Sequence, residues 1–153
     1  MAQDFPALCQ LSHTPSKPEN KGYRHVQAIV DSGAADHVMA NDLLPDYIAG
    51  ENEAMRQGVT YLTADGGEIP NQGEKSVRYK TTEGHEVMSC FQVADVRKPL
   101  LSVPSLTAAG HDVVFHKRGG TITHPKGDRK MHFRRQGGVY ILDMWAPPFQ
   151  RQG

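Results

Sequence analysis

Residues 75–96, KSVRYKTTEGHEVMSCFQVADV, divide into two extended arms around Glu83-Gly84. Val77 and Tyr79 alternate with polar neighbours in the first arm, and Val87, Ser89, Phe91 and Val93 do so in the second. A period of two belongs to a strand with one buried face, and a glycine between two such runs belongs to a hairpin turn. Downstream, HDVVFH, GTITH, RKMHFRR and GVYILDMW read as four more short strands, cut by Gly-rich or Pro-Lys-Gly-Asp turns. Upstream, VTYLTADGGEIPNQGEKSVRYKT reads as a long hairpin turning at Asp65-Gly66-Gly67, with Pro70 and Asn71 making its returning arm irregular or an edge. With 15 Gly and 10 Pro in 153 residues, the chain is expected to be all-β, with one core.

One helix stands out against this background. In KPLLSVPSLTAAGHDVVF, Ser102 can cap a helix near 103–109, Pro104 suits its first turn and Gly110 its end. Leu100, Leu101, Val103 and Leu106 form its expected buried set. A further helical turn can start at Asn41 or Asp42. Residues 1–22, rich in Pro, Ser, Lys, Glu and Asn, read as a flexible leader, and residues 146–153, APPFQRQG, as a flexible tail.

The charge is balanced overall but not locally. Residues 1–115 carry 9 Lys/Arg against 15 Asp/Glu, and residues 116–135 carry 7 Lys/Arg against Asp128 alone. A net of +6 in twenty residues can meet nucleic acid or an acidic neighbour, although a solvated hairpin is the preferred reading. No apolar run reaches the length of a membrane span, and the N-terminus lacks a basic region followed by an apolar one. Two cysteines cannot make a disulfide framework, which points to a reducing, cytoplasmic setting. His85 and Cys90 stand alone, Cys9 and His13 lack partners, and no zinc spacing is completed, so no metal is expected. Asp36-His37 has the look of a metal corner, but packing is the preferred role. Cys90 is read as a buried strand thiol.

The residues most suggestive of chemistry are in AIVDSGAADHVM, residues 28–39. Val26, Ala28 and Val30 build an apolar strand that runs into Asp31, Ser32, Gly33 and Ala34. The plain use of Asp31 is a turn in which its carboxylate accepts backbone amides. Its order with a Gly-tipped hairpin and then a Leu-Leu-Ser helix suggests more.

That order resembles the retroviral-type aspartic proteases, and most nearly the protease region of copia-like retrotransposon polyproteins. VDSGAADHVM is similar to their signature around the catalytic aspartate, YLTADGGEIPNQGE to the flap, and FQVADVRKPLLSVPSLTAAGHDVVF to the final core segment. GGVYILDMW resembles the stretch before the integrase region. Ser102 follows Leu100-Leu101 where retroviral enzymes have Gly, and copia-like sequences tolerate Ser there.

The resemblance implies a single-lobed retropepsin-like barrel over residues 23–116, followed by a β-hairpin extension over 117–145 that begins a pre-integrase region. It implies an aspartic endopeptidase acting in polyprotein processing on extended peptide substrates, without a cofactor. Asp31 would be catalytic and supported by Ser32, Gly33 and Ala34. Ala64, Asp65, Gly66, Gly67 and Glu68 would form the flap over substrate. Two carboxylates must share one proton in such a site, and this chain offers one, so the active form would be a homodimer. A catalytically inactive dimerisation or peptide-binding module is the alternative.

Overall fold

The computed structural model describes residues 22–63 and 65–148. The leader up to residue 21, Ala64 of the expected flap and the tail from residue 149 lie outside the described residues. The strands are β1 Arg24–Asp31, β2 Val38–Met39, β3 Thr60–Leu62, β4 Glu68–Pro70, β5 Glu74–Lys80, β6 Glu86–Val93, β7 Leu100–Ser102, β8 Asp112–Phe115, β9 Gly119–Thr123, β10 Lys130–Gln136 and β11 Val139–Ala146. Among the described residues, two short helices, α1 Glu53–Arg56 and α2 Val103–Ala108, interrupt them. Strands dominate, as the alternating runs require.

The main sheet has the order β1-β7-β2-β6-β5-β11-β10-β9-β8, and it closes on itself because β1 also pairs with β11. That antiparallel pairing runs from Arg24 opposite Ala146 to Ile29 opposite Ile141. On its other edge β11 meets Lys80 of β5 at Trp145 and β10 at Val139 to Ile141. Residues 117–145 are therefore not an appendage. The expected division at 116/117 falls inside one continuous sheet, and the last strand is the neighbour of the first.

Alternation decides what lies inside. Val26, Ala28 and Val30 of β1, Val77 and Tyr79 of β5, Phe91 of β6, and Met131 and Phe133 of β10 enter one core with Met39, Leu44, Leu101, Leu106, Ile122, Leu142 and Met144. Truncating a fully buried aromatic such as Phe91 removes about 3–5 kcal/mol in typical cores. Of the set expected around α2, Leu101 and Leu106 are buried, while Leu100 and Val103 are half-buried. A Cβ at Gly120 would overlap both the Phe133 ring and the Val114 carbonyl, so glycine lets β8, β9 and β10 pack at this point.

Lys75 is in phase with Val77 and Tyr79 and is 1% exposed. Its ammonium donates to the carbonyls of Asn41 (2.7 Å), Leu43 (3.0 Å) and Leu44 (3.2 Å). A buried charge survives only with such partners. Burial lowers its pKa, against the pull of Asp42. The pinned loop includes Leu44 in the left-handed region, φ 56°.

Two further sequence expectations need correction. Residues 41–47 form turns rather than a helix starting at Asn41 or Asp42, because their carbonyls turn inward to Lys75. The helical turn is α1 instead, capped by the Asn52 side chain, which accepts from the Met55 amide at 2.9 Å. Cys90 is exposed, since Phe91 and Val93 claim the inner face of β6. No described helix is long and apolar enough to cross a membrane.

Candidate active site

The apolar part of β1 is held by β11, and its end is passed to β7. Ile29, Val30 and Asp31 lie parallel to Leu100, Leu101 and Ser102. Asp31 therefore emerges at the rim of the sheet beside the start of α2. The following loop, residues 32–37, leads to β2.

Ser102 holds that loop from behind. It is fully buried. Its hydroxyl donates to the Ala34 carbonyl at 2.6 Å and accepts the Ser105 amide at 3.0 Å, which also caps α2. Ser105 donates to the Ala35 carbonyl at 3.0 Å. The Ser102 amide donates to Nδ1 of His37 at 2.9 Å. Nδ1 must therefore be unprotonated. Burial, reinforced by His111 and opposed by Asp36, lowers the His37 pKa and favours that neutral form. Serine after Leu100-Leu101 thus has a specific role: it ties the loop to the helix.

At the front, Oδ1 of Asp31 accepts the Gly33 amide at 2.8 Å. Its Oδ2 has no hydrogen-bond partner among the described residues. Asp31 and Ala34 are half-buried, while Ser32 and Gly33 are exposed. The φ angle of Gly33 lies outside the left-handed region, and a Cβ there would stand 3.4 Å from Asp31 Oδ1, an ordinary contact. Nothing in the described chain requires glycine at this position.

The expected flap is a hairpin of its own. Thr60, Tyr61 and Leu62 pair with Pro70, Ile69 and Glu68. The Thr63 amide donates to the Gly67 carbonyl at 2.8 Å, and Gly66 turns with φ 88°. Asp65, Gly66, Gly67 and Glu68 are exposed, and Leu62 beside them is 80% exposed. The Thr63 hydroxyl and the Gly67 amide bond the Asp65 carboxylate and lower its pKa. The charged tip is therefore locally satisfied.

A polar chain invisible in the sequence ties this hairpin to the Asp31 loop. The Tyr61 phenol donates to Oδ2 of Asp36 at 3.0 Å. Nδ2 of Asn71 donates to the same phenol at 3.0 Å and to Gln92 at 2.8 Å. Nδ2 of Asn52 bridges Gln92 (2.8 Å) and Glu74 (2.9 Å). Burial raises the Tyr61 pKa; Asn71 opposes the shift, and Asp36, by accepting the proton, adds to it. Asp36-His37 is thus a packing pair, with Asp36 facing the hairpin and His37 facing β7. Glu74 also accepts the Cys90 thiol at 3.2 Å. Partial burial and that carboxylate push the thiol up to about 11, which leaves it protonated and poorly nucleophilic at neutral pH.

Among the described residues, no three His, Cys, Asp or Glu side chains converge as metal ligands would. Ser32, Gly33 and Ala34 lie beside Asp31 as their order dictates. The Asp65–Glu68 tip is connected to that loop through the hairpin base, Tyr61 to Asp36. Comparison with protein-family models, with curated proteins and with solved structures yields no match.

Proposed function

We propose that the chain is one half of a homodimeric aspartic endopeptidase of the retropepsin type, which cleaves extended peptide segments of a retrotransposon-type polyprotein in the cytoplasm. The observation that carries this reading is the Asp31 loop. It is clamped from behind by Ser102 and Ser105, yet it presents an Oδ2 without a hydrogen-bond partner among the described residues, an exposed Ser32 and a glycine that nothing in the described chain requires. Such a loop is built to meet something close. A second copy related by a twofold axis supplies the matching loop, because a twofold contact places each residue against its own mate.

The chemistry then follows from repulsion between like charges. Two Asp31 carboxylates at hydrogen-bond distance cannot both ionise, so they hold one proton between them. The ionised carboxylate takes a proton from water, and the protonated one polarises the scissile carbonyl. Their titration belongs to the pair. Ser32 braces the two loops across the axis, Gly33 allows their approach and Ala34 leaves room for the peptide. The hairpin tips, from Asp65 to Glu68, cover the substrate, bond its backbone and exclude water. The sheet ring through β1, β7, β2, β6, β5 and β11 serves as the retropepsin-like barrel of this reading.

The Asp31–Gly33 bond is also what a plain turn contains, and it favours the alternative of a non-catalytic dimerising or peptide-binding module. The test is cleavage of an unfolded protein at mildly acidic pH by the purified chain and by Asp31→Asn. The proposal expects cleavage by the first only, with unchanged thermal midpoints. A folded wild-type chain that neither cleaves nor binds a statine-type inhibitor supports the alternative.

A further inference from the structure

The fold treats the basic residues of 116–135 unequally. Arg134 is taken up by Asp143, Nε to Oδ2 2.8 Å, and His132 by Glu83 at 2.9 Å. At one end of the β9–β10 hairpin, Asp128 lies 3.4 Å from His124, and Lys126, Arg129 and Lys130 enter no ion pair among the described residues. At the other end, the turn between β8 and β9 lies against Arg135. The Arg135 amide donates to the Arg118 carbonyl at 2.8 Å, and its guanidinium to the Lys117 carbonyl at 3.3 Å. Lys117, Arg118 and Arg135 are exposed, and none of them enters an ion pair among the described residues.

Aromatic rings lie beside these cations. Phe115 and Tyr140 meet edge to face at 4.9 Å, and each also packs on Phe133. The Arg135 guanidinium stands 5.9 Å from the Tyr140 ring centre. Phe115 is 39% exposed on β8, the outermost strand.

We infer that this end of the sheet binds single-stranded nucleic acid, with Lys117, Arg118 and Arg135 holding phosphates and Phe115 and Tyr140 offering faces to bases. Cations alone attract any polyanion. Half-exposed aromatic rings beside uncompensated cations select a chain that carries both phosphates and flat bases. The Arg135 amide and guanidinium, by bonding the carbonyls of Arg118 and Lys117, hold the three residues together. The inference is independent of peptide-bond cleavage.

The test is fluorescence anisotropy of the full chain with labelled oligo-dT and oligo-rU of about twelve nucleotides, a length within known single-strand site sizes. Three phosphate contacts predict that log K falls against log salt with a slope of about −2. Joint reversal, Lys117→Glu with Arg118→Glu and Arg135→Glu, should weaken binding by about tenfold or more. Joint neutralisation to Gln gives a milder second variant should the reversal impair folding. Phe115→Leu should weaken binding about fivefold and leave the slope unchanged. Reversal of Lys126 and Lys130 at the far end should change binding less than about twofold, as expected when screening limits distant charges. The inference is overturned by absence of binding at low salt or by an ineffective Phe115→Leu. It is equally overturned by polyglutamate competing as well as nucleic acid, or by equal losses from the two ends.

Discussion

The Tyr61 phenol, in the hairpin, donates a hydrogen bond to the Asp36 carboxylate, 3.0 Å away in the loop that follows Asp31. Two segments 25 residues apart in sequence are joined by this contact. If the hairpin is a substrate cover, its attachment to the loop governs how well it closes. Tyr61→Phe removes this bond and the one that the phenol accepts from Asn71. A hydrogen bond contributes about 1 kcal/mol between neutral groups and about 1.5–3 kcal/mol to a charged one. The expected outcome is a loss of stability, faster amide exchange at Thr63 and Gly66, and about tenfold lower turnover, equivalent to about 1.4 kcal/mol in the barrier. Unchanged exchange in the hairpin would show that the bond anchors nothing.

Gly33 separates the requirements of the chain from those of the assembly. A methyl group there has room within the described structure, so Gly33→Ala should alter the stability of the dilute chain by no more than about 0.5 kcal/mol. In a twofold contact between Asp31 loops, the same methyl group is introduced twice. Overpacking of about 1–3 kcal/mol predicts association weakened by about tenfold, with activity lost in step. Sedimentation and peptide cleavage check this together. Full activity in Gly33→Ala would remove the reason given for the glycine.

His37 predicts an acid limit. Burial holds its pKa below 6.5, while the unfolded chain titrates near 6.5. The native state thus stays neutral while the unfolded state takes a proton. Its contribution is complete above pH 6.5 and is lost as the pH falls below 6.5 through the lower folded value. Protonated Nδ1 also cannot accept the Ser102 amide. Melting curves against pH should show this acid-side decline in the wild type and a flatter profile in His37→Asn, whose amide oxygen can accept the same bond. Parallel profiles would assign the decline to other groups. His132 has the opposite sign: its bond to Glu83 raises its pKa, so its contribution is complete below pH 6.5 and fades as the pH rises through the folded value.

Lys75 tests the scaffold. Lys75→Met keeps the buried stem but deprives the carbonyls of Asn41, Leu43 and Leu44 of their common donor. Denaturant unfolding should reveal a loss of about 2–4 kcal/mol, the range for breaking a buried charged hydrogen-bond set from one side. A neutral substitution would mean that these carbonyls find other donors.

What could be read in advance follows from the range of each physical signal. Strand periodicity is local, so β1, the two hairpins turning at Asp65–Gly67 and Glu83–Gly84, and the downstream strands were legible. So was α2, whose Ser102 cap, Pro104 and closing Gly110 lie within nine residues. Periodicity names a face and not a neighbour. It therefore could not place β11 beside β1, and the expected break at 116/117 missed a pairing that spans the chain. Asp36–Tyr61 and His37–Ser102 were hidden for the same reason. Four-residue α1 carries no apolar period; its signals were the Asn52 cap, Glu53 and Arg56 at its ends and Gly58 just beyond them. The inward Lys75 and outward Cys90 were available from alternation. Lys75 shares a phase with Val77 and Tyr79, and Cys90 opposes Phe91 and Val93. Residue type outweighed phase in both cases.

In the proposed enzyme one Asp31 from each of two copies makes the catalytic pair, and coexpression of wild type with Asp31→Asn distinguishes that pair from a site within a single copy. At equal amounts of the two chains, random pairing leaves about a quarter of the dimers with both acids. Peptide cleavage per total chain should then fall to about a quarter of the wild-type value, and further as the variant fraction rises. Activity falling to about half, in simple proportion to the wild-type chain, would mean that each copy works alone and would contradict the shared pair.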